Sequence, residues 1–353
     1  MIPVAKPMLS GNELEEIKAV LESGILAQGE TVARFEEEFA RYADTDYGIA
    51  VNSGTSGLHT ALAALGVGEG DEVITTPFSF IATATSVLMQ RAKPVFCDID
   101  PRTYNIDPER LEDAITERTK ALIVVHLYGL TCDMEPIMEI ANENGLKVIE
   151  DACQAHGAEY NGKRAGSLGD VGVFSFYPTK NMTTGEGGMI TTSDLEVAEK
   201  TKMIRNHGQS ERYVHPILGY NYRMTNLAAA IGLSQLNMID QFNEKRQENA
   251  RYYDELLNFE SPFVPAGRKH VYHQYTIQVD DRDGFTKHLE KEGVGYGVHY
   301  PIPIHKQPLM KEYNGQNFPK AEEASKKVVS IPVHPGLTDE EREQVGRAVN
   351  GYV

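Results

Sequence analysis

At 353 residues, 41% hydrophobic and 24% charged, the chain has the apolar material for a sizeable core and the length of about two domains, which sets disorder aside. Its 34 basic against 51 acidic side chains leave a formal charge of −17, a field that repels nucleic acid and anionic membrane surfaces. Cys97, Cys132 and Cys153 are far apart and form no CxxC pair, so they predict reduced thiols in a cytoplasmic setting and offer no metal motif.

The opening MIPVAKPML lacks the pattern of a signal peptide, and no stretch reads as a membrane span. Residues 1–10 read as an extended arm, because Pro3 and Pro7 discourage helix. Ser10 is placed to cap a helix over 12–23, with Glu13, Glu15 and Glu16 favourable in its first turn. GILAQGE is then a glycine-bounded loop, and a second amphipathic helix follows over 31–43. YGIAVNSGTSGLHTALAALGV reads as strand, turn and helix. Unpaired N–H groups and the helix dipole at such a turn suit a phosphate, although the same residues equally well cap the helix. The glycines of GVGEG follow a helix instead of opening one, so they read as a loop and not as a dinucleotide fingerprint.

GDEVITTPFSFIATATSVLMQRAKPVFCDID gives strand, turn, helix and strand. Phe80, just past Pro77 at a strand's carboxyl end, is either a core residue or an aromatic face for a planar ring. A helix from Pro108, the strand ALIVVHLYG, a helix from Met134 and the strand KVIED continue the alternation. Near-continuous apolar strands between helices predict a mainly parallel sheet covered on both faces. VIED ends on two carboxylates, and ligands of open α/β sheets sit beyond the carboxyl ends of strands. Asp151 therefore either faces a ligand or caps the next turn.

FSFYPTKNMTTGEGG reads as a buried strand ended by Pro178, with Lys180 on the tight connection beyond it. Gly185, Gly187 and Gly188 permit close backbone approach. A lysine desolvated in such a place forms a Schiff base with a carbonyl; a solvated surface charge is the ordinary alternative. A carboxylate and such a lysine together suit pyridoxal phosphate, the acid pairing with the pyridinium nitrogen and the amine with the aldehyde. GGMITT is then a strand and 194–205 a helix, followed by the aromatic-rich loop HGQSERYVHPILGYNYRMTN. From Thr225 a long helical pattern bridges to a smaller α+β part: strand HQYTIQVD, helix from Asp283, strand VGYGVHY and a final helix after Thr338.

EDACQAHGA and GDVGVFSFYPTKNMTTGEGGMITT together resemble the signature of the DegT/DnrJ/EryC1/StrS family of nucleotide-sugar aminotransferases, and the resemblance spans nearly the whole chain. It implies an α/β fold-type I architecture: an arm over 1–10, a large cofactor-binding domain over 11–240 with a mainly parallel sheet, and a small α+β domain over 241–353. It implies pyridoxal 5'-phosphate, alternating with pyridoxamine phosphate, as cofactor. Glutamate is the implied donor, and the acceptor is a nucleoside-diphosphate-linked keto sugar of the 4-keto-6-deoxy kind, with C3 or C4 amination left open. The resemblance makes Lys180 and Asp151 catalytic, sets Gly54, Thr55, Ser56 and Ser175 on the cofactor phosphate, and sets Phe80 and Gln154 against its ring. It carries Asn221 to the phosphate of the neighbouring subunit's cofactor, so a homodimer with shared sites is expected.

Gln28, His156, Arg223, His299, Tyr300 and His305 are substrate-side candidates. Gln28 could instead be a plain connector, His156 a loop-orienting residue and Arg223 a surface ion pair. His299 and His305 have no nearby cysteine or carboxylate to complete a metal set. Dehydratases of the same family carry histidine where this chain has Lys180. A non-catalytic regulator would not need that lysine, and no basic DNA-binding patch is seen. A nicotinamide oxidoreductase would need the missing glycine fingerprint.

Overall fold

The computed structural model describes residues 1–352. Strands β1 (Tyr47–Val51), β2 (Glu72–Thr75), β3 (Lys93–Phe96), β4 (Thr119–Val125) and β5 (Lys147–Asp151) come first. The short β6 (Glu159–Tyr160) and β7 (Lys163–Arg164) lead to β8 (Val171–Ser175) and β9 (Gly188–Thr192). Towards the C-terminus lie β10 (Arg268–Lys269), β11 (Tyr275–Gln278) and β12 (Val328–Ile331). The helices are α1 (Glu13–Ser23), α2 (Glu30–Tyr42), α3 (Gly54–Ala64), α4 (Ala82–Met89), α5 (Leu111–Ala114) and α6 (Met134–Glu143). After them come α7 (Leu195–Arg205), α8 (Asn226–Leu236), α9 (Ile239–Leu256), α10 (Arg282–Lys291), α11 (Pro319–Lys327) and α12 (Asp339–Asn350).

Seven strands form one sheet in the order β1-β9-β8-β5-β4-β2-β3. From β8 through β5, β4 and β2 to β3 every pairing is parallel, and β9 runs antiparallel to both its neighbours. The expected mainly parallel, helix-covered sheet is what forms. Its strands are buried on both faces: Ala121 and Ile123 of β4 join one apolar cluster with α3, while Leu122 and Val124 join another with Ile137 and Ala141 of α6. That period of two explains why these strands carry continuous apolar runs instead of alternating with polar residues.

A separate two-stranded sheet pairs β11 with β12 antiparallel. Tyr253, Tyr275, Phe285 and Val345 pack around it. Ile2 belongs to the same cluster, and its backbone bonds to Gly293 and Gly295 at 2.8 and 2.7 Å.

Several local expectations are corrected. Ser10 does not cap α1; the buried Glu13 carboxylate instead accepts from the Ser10 and Gly11 N–H groups, both at 2.8 Å, and from Gln235 at 2.8 Å. The pattern from Thr225 divides into α8 and α9, interrupted at Asn237 and Met238. VGYGVHY is not a strand and makes only the isolated bridges Ile2–Val294 and Gly297–Ser330, because its two glycines, Gly295 and Gly297, offer no side chains to pack. β8 ends at Ser175, before Pro178; Phe176 still donates to the Gly187 carbonyl at 2.9 Å, and the turn towards β9 follows it. Among the described residues no helix is long and apolar enough to cross a membrane.

Candidate active site

Parallel strands end on the same side of the sheet, so their last residues converge there. Asp151 is the final residue of β5 and is 6% exposed. Its Oδ2 accepts the Thr83 hydroxyl at 2.9 Å, and its Oδ1 accepts the Cys153 N–H at 3.3 Å. Thr83 lies in the first turn of α4 and also meets the Ser79 hydroxyl at 3.0 Å.

Lys180 follows β8 in a turn closed by its N–H on the Tyr177 carbonyl at 2.9 Å. Its side chain is half-buried. Loss of solvent lowers its pKa, an effect that the neighbouring Cys153 and Asp151 partly oppose. Strand register thus brings the carboxylate and the amine to one place. Cys153 feels both charges, its thiol pushed well up by burial and by the Asp151 charge, with Lys180 opposing.

α3 begins at the same rim. Ser53 caps it, accepting the Ser56 N–H at 3.1 Å in a reciprocal capping box. The Ser56 hydroxyl accepts the Ser53 N–H at 3.1 Å and lies 2.7 Å from Asn52 Oδ1, so it is engaged in the cap and not offered outward. Thr55 and the first N–H groups of the helix remain for an anion. A Cβ on Gly54 would come within 2.9 Å of both Ser175 Cβ and Cys153 Sγ. Glycine there lets the helix N-terminus close against the strand tips. This cradle is of the kind a phosphate monoester fills, and Asp151 and Lys180 are the two groups that a pyridoxal ring requires. The residues fit the group.

Gln154 locks the rim on the other side. Its Oε1 accepts the Tyr128 N–H at 2.8 Å, which turns its Nε2 to the Tyr300 phenol at 3.0 Å. Phe80 is 56% exposed, an open aromatic face at the rim, and its ring lies 6.3 Å from that of Tyr300. His299 precedes Tyr300; burial and the Lys180 charge depress its pKa to about 4, and its carbonyl accepts the Tyr128 hydroxyl.

The remaining candidates divide between the core and the periphery of the site. His305 is fully buried, pairs with Glu322 at 3.0 Å and packs on Phe96 and Phe318, so it is no substrate contact. His156 is equally buried, against Phe174 and Phe176 at 5.3 and 5.8 Å, and burial lowers its pKa to about 3. It sits inside the core, not on an open face. Gln28 is half-buried in the loop before α2, which the Asn226 N–H ties down at 3.1 and 2.9 Å through Leu26 and Ala27. Asn221 is exposed and accepts Arg223 Nε at 3.1 Å; their segment runs beside Val51 and Asn52, next to the start of α3. No group of three or more histidine, cysteine or acidic side chains suited to a metal occurs among the described residues.

Thr83, Tyr128 and Glu150 were not singled out from the sequence. Thr83 is a threonine in an apolar helix, and only the approach of the start of α4 to the end of β5 reveals its partner. Tyr128 sits in left-handed backbone at φ 58°, for which LYGL carries no signal.

A profile of the DegT/DnrJ/EryC1/StrS aminotransferase family matches residues 7–350. The chain belongs to that family. A relative in Geobacillus stearothermophilus, named pleiotropic regulatory protein, is 45% identical over 335 residues, 92% of this chain and 90% of its own. The dTDP-3-amino-3,6-dideoxy-alpha-D-galactopyranose transaminase of Aneurinibacillus thermoaerophilus is 43% identical over 344 residues, 96% and 94% of the two chains. The X-ray structure of S. venezuelae DesV in complex with a ketimine intermediate superposes with TM-score 0.94 at 36% identity, covering 99% of this chain and 98% of that one. The architecture is therefore fold-type I, and the DegT/DnrJ/EryC1/StrS member described here is a transaminase dependent on pyridoxal 5'-phosphate.

Proposed function

We propose that this family member moves an amino group from glutamate to a keto sugar of the 4-keto-6-deoxy kind carried on a nucleoside diphosphate. The observation that carries the reading is the meeting of Asp151 and Lys180 at neighbouring strand ends beside the N-terminus of α3. When bound, the cofactor supplies an aldehyde and a ring that takes up electrons. Lys180 would hold the aldehyde end and, once displaced by the amino acid, its amine moves the α-proton. Asp151, oriented by Thr83 and the Cys153 N–H, holds a proton on the ring nitrogen. Gly54, Thr55 and Ser175, with Ser56 supporting the turn, would receive the phosphate, and Phe80 and Gln154 would flank the ring. Gln28, Arg223, His299 and Tyr300 then face the substrate side. Asn221 would reach the cofactor phosphate of a second copy, so the working unit is a homodimer. The name of the Aneurinibacillus relative supports a nucleotide sugar as acceptor.

Protein incubated with pyridoxal phosphate and glutamate should release 2-oxoglutarate and then aminate one member of a panel of UDP-, GDP- and dTDP-linked keto sugars, read by mass spectrometry. Borohydride should attach the cofactor at position 180, and Lys180→Ala should abolish both signals. A colourless, unlabelled and inactive wild type would overturn the proposal. The regulatory name of the Geobacillus relative favours a second reading, cofactor binding without turnover. Labelling at Lys180 without 2-oxoglutarate is the outcome that would select it.

A further inference from the structure

Next to Lys180 lies a polar network that the proposed chemistry does not use. Asn181, Asn243, Arg246 and His273 are 4%, 2%, 4% and 6% exposed. Asn181 Nδ2 donates to Asn243 Oδ1 at 2.8 Å and to the Val271 carbonyl at 3.0 Å. Both amide protons being placed, Asn181 Oδ1 can only accept, and His273 Nδ1 stands 3.3 Å from it. That geometry puts the imidazole proton on Nδ1. Burial and the Lys180 charge hold His273 neutral, which keeps this single-donor form.

The other half of the Asn243 amide donates to the His156 carbonyl at 2.8 Å, in the turn that leaves Asp151. Arg246, nearly one turn along α9, donates to the carbonyls of Tyr272 and His273 at 3.1 and 3.4 Å. α9 further contributes Ala250 and Tyr253 to the apolar cluster around β11 and β12. One helix therefore holds the turn after Asp151, the residue after Lys180 and the 271–273 segment, and it is anchored in the second core.

We infer that Asn181, Asn243 and His273 are positioning residues that fix the backbone at Lys180 relative to the strand end bearing Asp151. The inference rests on the proposed roles of those two residues. Because a buried amide that loses its partner must move or remain unsatisfied, the network tolerates one arrangement only. The amine is thereby kept at one separation from the carboxylate while it is attached and detached. The titratable groups around Lys180 are Asp151 and Cys153 from the β5 end, His156 from the turn after them, His273 from the 271–273 segment and His299 from the 294–300 segment.

Asn181→Ala should lower kcat about tenfold with KM for glutamate within about twofold. It should also move the pH midpoint of the visible absorbance of the lysine-linked cofactor by about half a unit. Asn243→Ala, on a different element, should shift both readouts in the same direction. A merely structural role would lower Tm and leave the midpoint and kcat unchanged, and that result overturns the inference. Should neither variant fold, the wild-type holoenzyme labelled with 15N at histidine decides: His273 must report the Nδ1–H tautomer, and an Nε2–H tautomer sinks the network. Absence of borohydride label at Lys180 would instead fault the underlying reading of the site.

Discussion

Glu150 and Asp151 are neighbours on β5, and the pleat sends their side chains into two different regions of the molecule. Beneath the sheet, Glu150 is fully buried and accepts four hydrogen bonds: the N–H groups of Gly166, Leu168 and Gly169 at 2.8, 2.7 and 2.8 Å, and His126 Nε2 at 2.8 Å. His126 Nδ1 in turn accepts the Cys132 N–H at 3.1 Å, so its proton is on Nε2 and points at the acid. At the rim, Asp151 accepts only two bonds, from Thr83 and Cys153. A carboxylate has about four acceptor sites. Glu150 has filled them and serves the fold, tying the loop before β8 to β5. Asp151 retains acceptor capacity, which the role proposed for it would use. Identical charge and adjacent sequence positions lead to different work, and the difference is the saturation of the oxygens.

Substitutions at the pair should separate the two regions. Asp151→Asn keeps the shape and removes the charge; kcat should fall about 10²- to 10³-fold with little change in Tm. A normal rate in steady-state assays would place Asp151 with Glu150 as a structural acid. Glu150→Gln should do the reverse, costing about 3 kcal/mol in urea unfolding because an amide cannot accept from all four donors, while kcat per folded molecule stays near wild type. A catalytic defect without loss of stability would erase the distinction.

Acid should weaken the fold through histidines held neutral inside it. His156 and His270 have pKa values of about 3 against an ordinary 6.5, set by burial. Below pH 6.5 the unfolded chain gains protons at these positions that the native protein does not, so stability falls with pH. From about pH 6.5 to about pH 5.5 each should cost about 1 kcal/mol, and His156→Phe should remove its share of that slope. A slope unchanged by that variant would mean the native ring is protonated. The mildest change is Thr83→Val, which leaves Asp151 with the Cys153 N–H alone; kcat should drop about fivefold, equivalent to about 1 kcal/mol. An unaltered kcat would show that Asp151 needs no hydroxyl to hold its orientation.

Asp151 and Lys180 could be picked out because one ends an apolar run and the other sits on the tight connection just past another, and the carboxyl ends of parallel strands are where ligands meet the sheet; the motif resemblance then chose between the alternatives each residue carried. The cap of α3 was readable for the same local reason, Ser53 preceding a helix-forming stretch. His305 and His156 were not. Both look like polar residues in loops, and nothing nearby in the chain announces that Phe96 and Phe318, or Phe174 and Phe176, will close over them. The 294–300 segment imitated a strand because Val294, Tyr296 and Val298 alternate with glycines; in the fold it follows Gly293, which has φ +74°, and makes bridges only.

What the sequence determined by itself is the rhythm of strands and helices and the placing of an acid and a lysine at strand ends. Period and punctuation are local properties, set within a few residues by side-chain shape and backbone freedom. Only the tertiary structure decided which of two adjacent acids is spent, which histidines are sealed away, and which partners Thr83, Gln154 and Asn181 bond. Those outcomes depend on partners that lie up to 146 residues away, as in the Gln154–Tyr300 bond. Whether a buried oxygen is satisfied is a property of the packed molecule and not of any stretch of chain.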